Sequence, residues 1–253
     1  MKIRSINVGR PREIEWNGRI VSTAIFKDPV YGPVDVKRTN LDGDGQADLT
    51  VHGGEDKAVY AYAAGHYPYW REQLPGFDLE WGAFGENLTL DDFTEESVRI
   101  GDEYAAGTAR LIVSQPRMPC FKLGLRFGRD DMIDRFLASG RSGFYLRVAV
   151  EGTITAGQSF ERIATTPANI TVAEAVALYA RRIEDAELLR RATTTTGLAP
   201  GWRERFRRLL AATGHTPVVP AAPGLPDGPR PGSARCSAAG TERPDHRADP
   251  HID

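Results

Sequence analysis

Cysteine is nearly absent. The 253 residues hold two, Cys120 and Cys236, too few for a disulfide scaffold, and a reducing, cytoplasmic location is expected. Long apolar runs are missing as well. Met1–Asn7 reads as a first strand without the apolar stretch of a signal peptide, and no later segment is long enough to span a bilayer. Charge of one sign is scarce: the formal net charge is −2, which draws the chain toward neither nucleic acid nor membrane. Several catalytic signatures are lacking too. No GxxxxGK[ST], HExxH, CxxC or GxSxG occurs, so P-loop nucleotidases, zincins, thioredoxin-like enzymes and α/β-hydrolases have no motif support. No flavin or nicotinamide fingerprint is found.

Structure is strongly patterned in what remains. In Phe144–Val150 the apolar residues Phe144, Leu146, Val148 and Val150 alternate with Tyr145, Arg147 and Ala149, which predicts a half-buried strand. Ala109–Gln115, Lys57–Tyr62 and Asn87–Leu90 read as further short strands, with turns at Gly101-Asp102, Glu151-Gly152 and Ala156-Gly157. Helices are expected at Pro68–Leu74 and at Asp130–Ser139, the latter stopping at Gly140. Many short strands with few helices predict a mainly β fold, a closed or nearly closed barrel over residues 1–163.

Residues 164–213 read as a three-helix module. Thr171 and Glu174 have capping-box spacing, Asp185–Ala192 forms a second helix, and Trp202, Phe206, Leu209 and Leu210 mark a third. Its many arginines suit a solvated face better than a docking patch. Beyond it, Thr216–Asp253 contains eight of the 17 prolines and no aromatic residue. Such a segment buries too little apolar surface to offset its ordering entropy, so 214–253 is expected to be a disordered tail.

Asp42-Gly43-Asp44-Gly45-Gln46-Ala47-Asp48 imitates a calcium loop. Counting from Asp42, however, Ala47 stands where glycine is required and Gly53 where glutamate is required, so a turn built on side-chain hydrogen bonds is expected. Three other segments combine anion-binding backbone with cationic or amide side chains. In His52-Gly53-Gly54-Glu55-Asp56-Lys57 the paired glycines allow amides to converge and Lys57 adds a point charge. Gly85-Glu86-Asn87 forms a tight turn that delivers an amide side chain. In Gln115-Pro116-Arg117-Met118-Pro119-Cys120-Phe121-Lys122 two prolines stiffen a loop that presents a thiol between Arg117 and Lys122. Neighbouring positive charge favours the thiolate, the form that attacks electrophiles and ligates soft metals. Each segment alone also suits a structural role: Cys120 as a small buried hydrophobe, His52 as a satisfied histidine, Asn87 as a turn former.

Taken together and in order, HGGxDK at His52–Lys57, GENL at Gly85–Leu88 and QPRxPC at Gln115–Cys120 resemble the MOSC-domain proteins of the YiiM type. Gly43–Asp48, His66-Tyr67 with Trp70, and Ser142–Tyr145 extend the resemblance, which covers about residues 1–213 and leaves out the tail. It implies a MOSC-type β-barrel followed by three helices, and a molybdopterin cofactor (the molybdenum cofactor) whose metal is bound by Cys120. It further implies that Gly53, Gly54, Lys57, Gly85, Glu86, Asn87, Gln115, Arg117, Lys122 and Arg147 surround the cofactor, with His52 orienting substrate or passing a proton. The implied activity is reduction of N-hydroxylated compounds, such as hydroxylaminopurines and amidoximes, with electrons from a separate flavin-type reductase. Three rivals stand beside it: a cofactor or sulfur carrier without turnover, a metal-free thiol enzyme using Cys120 and His52, and a nucleic-acid binder acting through the arginine-rich helices. Glu184, Asp185, Glu187 and Glu204 interrupt that basic surface and argue against the last.

Overall fold

One strand divides the molecule into two cores. In Val59–Ala63 every residue is buried; Val59, Ala61 and Ala63 face the larger core, while Tyr60 and Tyr62 face a second, aromatic one. The period-2 alternation of a strand produces this division. The computed structural model describes residues 1–47, 53–91 and 93–213, which belong to one compact unit, Met1–Thr216. His52, Cys236 and the expected disordered tail lie outside the described residues.

In chain order the strands are β1 (Ile3–Val8), β2 (Arg12–Trp16), β3 (Arg19–Thr23), β4 (Asp28–Val30), β5 (Val34–Val36), β6 (Val59–Ala63), β7 (Leu88–Leu90), β8 (Glu103–Ala106), β9 (Ala109–Pro116), β10 (Phe144–Val150), β11 (Gly152–Ile154) and β12 (Phe160–Ala164). Eight form one sheet in the order β12-β8-β9-β10-β6-β7-β1-β4, with β6 and β7 parallel. Two small sheets, β11-β5 and the hairpin β2-β3, stand apart from it. The expected barrel is therefore corrected to an open sheet. Among the described residues no ladder joins its end strands β12 and β4; the start of β1 meets the segment before β12 through the bridge Lys2–Ser159 and hydrogen bonds such as Phe160 N–H to Met1 O, 2.9 Å.

The helices are α1 (Tyr67–Gln73), α2 (Phe121–Phe127), α3 (Met132–Ser139), α4 (Val172–Tyr179), α5 (Ala186–Thr194) and α6 (Pro200–Ala212). The capping box is present: Thr171 Oγ1 accepts from Glu174 N–H at 3.1 Å, and Glu174 accepts from Thr171 N–H at 2.7 Å. Asp185 caps α5, and Gly140 ends α3 at φ +69°. The helix α2, directly after Cys120, was not expected from the sequence, where the prolines suggested a loop. Pro116 and Pro119 both precede it, so neither interrupts its hydrogen bonds. Among the described residues no helix is long and apolar enough to cross a membrane.

Helices α4 to α6 share the larger core with the sheet: Ile170, Val172, Leu189, Phe206 and Leu210 join Leu111, Val113 and Phe144. Their arginines are largely committed to this packing. Arg203 donates to Thr193 O and Thr195 O, Arg191 pairs with Glu174, and Arg205 lies over the Tyr179 ring. The seam with the sheet is held by Asn169, whose amide donates to Ile100 O and Thr196 O and accepts from Thr196 N–H. Gly101 sits in this seam at φ +86°, and an added Cβ would meet Thr196 O at 2.7 Å and Asn169 Nδ2 at 2.8 Å. Gly101→Ala is thus expected to destabilise the protein by more than about 1 kcal/mol, read from the midpoint of urea unfolding. An unshifted midpoint would show that the seam yields freely.

Candidate functional site

The turn Gly82–Asn87 is built around a buried carboxylate. Glu86 is fully buried and accepts from Gly82 N–H (2.9 Å), Phe84 N–H (3.1 Å), Thr89 Oγ1 (3.0 Å) and the Tyr67 hydroxyl. Burial pushes this carboxyl up, and the donated hydrogen bonds pull against that shift. Its oxygens hold the turn and do not line the cleft described below. Glu86, expected to face a cofactor, acts here as scaffold.

Asn87 is equally engaged. Its Oδ1 accepts from Tyr60 N–H at 3.0 Å, and its Nδ2 donates to Asn7 O at 3.3 Å and Asp44 Oδ2 at 2.9 Å. Both amide donors are used, so its role is to tie β1, β6 and the 41–47 loop together at the cleft wall. Asp44, from the segment that mimics a calcium loop, accepts from Lys27 Nζ at 2.5 Å and Gly9 N–H at 2.8 Å. Side-chain exposures of 8% for Lys27 and 2% for Asp44 make this a buried ion pair. Among the described residues no group of acidic, histidine or cysteine side chains is arranged to hold a metal ion by itself.

These contacts frame a partly open cleft. Cys120, Lys57, Arg117, Lys122, Asn87 and Gly85 all line it, so the structure brings together residues from all three sequence blocks. Gln115 is buried in β9, Gly53 and Gly54 lie outside the cleft lining, and Arg147 is paired with Asp56 through Nε at 2.7 Å. Arg147, Gln115, Gly53 and Gly54 are therefore placed around the site without entering it. His52 and Asp48 lie outside the described residues.

Arg117 is a buried cation in the cleft with one donor unmet. Its residue exposure is 5%, its guanidinium lies 4.8 Å from the Phe136 ring and 5.5 Å from that of Tyr60, and its Nη1 is buried without a hydrogen-bond partner. Aromatic faces stabilise the cation and the Tyr145 hydroxyl meets it, but Nη1 keeps no acceptor. Burial pushes the Lys57 ammonium down, and the charges of Cys120 and Asp56 push it partly back. A half-exposed thiol, a buried guanidinium with an unmet donor and three lysines line one cleft, a set of groups that could hold an anion and present a thiol to it.

Sequence reasoning missed Lys27, Tyr60 and Tyr145 as wall residues. Tyr60 hides because the polar edge of a fully buried strand looks like core. Its hydroxyl donates to Ser142 O at 2.9 Å. Burial raises the Tyr145 hydroxyl, with Arg117 opposing, so it faces the cleft as a neutral donor. Lys27 has no local signal, since its partner Asp44 is distant in sequence.

Comparison with known proteins agrees with this assembly. A family model described as "MOSC domain" matches residues 48–161, and one described as "YiiM-like, 3-alpha helix domain" matches 170–213. The chain is 39% identical over 206 residues to the uncharacterized protein YflK of Bacillus subtilis, covering 81% of this chain and 93% of that one. It is 34% identical over 188 residues to protein YiiM of Escherichia coli, covering 74% and 84%. A protein of Gibberella moniliformis named "Reductase" is 41% identical over 157 residues, 61% of this chain but 28% of its own length. The crystal structure of YiiM from Geobacillus stearothermophilus superposes with a TM-score of 0.70 at 37% identity, covering 83% of this chain and 98% of that one.

Asp44→Ala would leave the Lys27 ammonium, the Asn87 amide and Gly9 N–H without their acceptor. A loss of about 3–5 kcal/mol in urea unfolding is expected, only partly recovered in the double variant Lys27→Met/Asp44→Leu, which removes the unpaired charge but leaves Gly9 N–H and the Asn87 amide short of an acceptor. A single-variant loss below about 1 kcal/mol, the range of exposed pairs, would contradict this reading.

Proposed function

The chain belongs to the MOSC-domain proteins of the YiiM type, and from this premise we propose that it is a molybdenum-cofactor-dependent reductase of N-hydroxylated compounds. The observation that carries the proposal is the pairing of the Cys120 thiol with the unmet guanidinium of Arg117 in one cleft. A cofactor that joins a soft metal to a phosphate and a heteroaromatic ring answers both needs. Cys120 as thiolate is the soft ligand. Arg117, Lys57 and Lys122 suit the phosphate and other anionic edges, and the faces of Phe84 and Tyr60 supply apolar wall. The fungal relative named as a reductase supports redox chemistry as the class of activity.

The net reaction converts R–NH–OH, two electrons and two protons into R–NH2 and water. When bound, the cofactor supplies the two-electron removal of the hydroxyl oxygen. The chain supplies the rest. The neutral Tyr145 hydroxyl can donate to the departing oxygen, and Lys27 Nζ, held by Asp44, also lines the cleft. His52 is proposed as a further proton carrier. The electrons would come from a separate flavin-type reductase. A thiolate ligand fits a reducing, cytoplasmic setting.

Two measurements test this reading. Protein from a molybdenum-competent host is expected to hold about one metal per chain, as one cysteine ligand requires, and to turn over hydroxylaminopurine with an artificial donor. Cys120→Ala should lose both metal and turnover, whereas Cys236→Ala keeps both; metal without multiple turnover would make the chain a carrier. The second concerns pH. Since burial lowers Lys57 below the ordinary lysine value of 10.5, its proton leaves earlier on raising pH. Retention of the anionic cofactor should therefore weaken on the alkaline side before 10.5, and Lys57→Arg should move that limb upward. Identical alkaline limbs in the two proteins would remove Lys57 from the anion site.

A further inference from the structure

Two guanidinium groups lie against the ring of Phe26. The Arg12 Cζ lies 3.8 Å from the ring centroid and the Arg126 Cζ lies 5.1 Å from it. Neither arginine forms an ion pair among the described residues, and the Arg126 Nε is buried without a hydrogen-bond partner. The two charges repel: burial pushes the Arg126 guanidinium down and Arg12 pushes it further, opposed by Tyr67 and, from beyond ion-pair range, by Asp28 and Glu86. Two cations gathered on one ring without a carboxylate are half of an anion site.

Their position ties them to the cleft. Phe26 stands between Ile25 and Lys27, both of which line it. Gly45, another lining residue, packs so tightly on Pro11, next to Arg12, that an added Cβ would meet Pro11 Cδ at 2.7 Å. Arg126 lies on α2, the helix that opens directly after Cys120.

We propose that Arg12 and Arg126 form a phosphate subsite beside the reductive cleft, so that the chain takes its N-hydroxylated purine as the nucleotide monophosphate. The inference rests on the reductase reading for the nature of the base and stands on the arginine pair for the phosphate. Guanidinium planes that lie against an aromatic face leave their N–H edges free to fork onto phosphate oxygens. An unphosphorylated base reaches the cleft but not this pair.

The test is calorimetric titration of the cofactor-loaded protein with adenosine 5′-monophosphate, adenosine, ribose 5-phosphate and inorganic phosphate. The monophosphate should bind at least about tenfold tighter than adenosine, as a charge-assisted contact implies. Because Arg12 is exposed, Arg12→Gln should fold normally and narrow that ratio, and Arg12→Gln/Arg126→Gln should bring it close to one. Equal affinity for monophosphate and adenosine, or a ratio unmoved in both variants, would overturn the proposal. Inorganic phosphate binding as tightly as the nucleotide would also overturn it, by identifying a simple anion site. Turnover is read separately: kcat/KM for hydroxylaminopurine ribonucleotide over the free base should fall with the same variants, and a fall confined to the donor's KM would mark an electron-donor surface instead. If the titration holds while neither substrate is reduced, the phosphate subsite stands and the reductase reading fails.

Discussion

A buried carboxylate, Asp44, holds the site together. It meets the Lys27 ammonium, the Asn87 amide and the Gly9 N–H, and so fastens β1, the Gly82–Asn87 turn, the segment before β4 and the 41–47 loop at one point. Taking two charges out of water is costly, and only dense hydrogen bonding offsets it. Here both carboxylate oxygens are engaged, and the lysine points its stem along the cleft wall. The cleft exists because these four segments cannot drift apart without exposing an unpaired charge.

Around that node the two cores divide the work. The larger core fixes the sheet and the three C-terminal helices, and the aromatic one supports the floor under Arg117. Trp70, Phe84 and Phe136 pack against each other with centroids 5.3–6.3 Å apart, and Phe136 then offers its face to the guanidinium. The two prolines flanking Arg117 limit the backbone on both sides. A cation held in this way, without an acceptor on one nitrogen, is preorganised for an anion that the chain itself does not provide. The cost of keeping it there is the physical argument for a ligand in the cleft.

What could be read from the sequence follows how local its cause is. The alternation in β10, the capping box at Thr171 and Glu174, and the stop at Gly140 depend on neighbours within four residues; the cap and the stop stand as expected, and the alternation holds through Val148 but fails at Val150, which is exposed where the register shifts. The convergence of Lys57, Asn87, Arg117 and Cys120 was legible only through resemblance, since nothing in their spacing links them. Glu86 and Asn87 share a motif with the cleft but serve as its frame, because a buried carboxylate or amide is pulled inward by every unmet N–H nearby. The Lys27–Asp44 pair, the Tyr60 and Tyr145 walls and the open rather than closed sheet depend on long-range register, which leaves no local mark. Helix α2 was hidden for a different reason: prolines ahead of a helix look in sequence much like prolines within a loop.

The central claim is that Cys120 carries a metal inside this cleft, with its anionic part on Arg117. A crystal structure of the protein isolated with its native cofactor tests it most directly. The account predicts continuous density from the Cys120 Sγ to a metal, and an oxygen of the cofactor within hydrogen-bonding distance of Arg117 Nη1. A cofactor seated elsewhere, or a Cys120 Sγ left without a bond to it, would contradict the account.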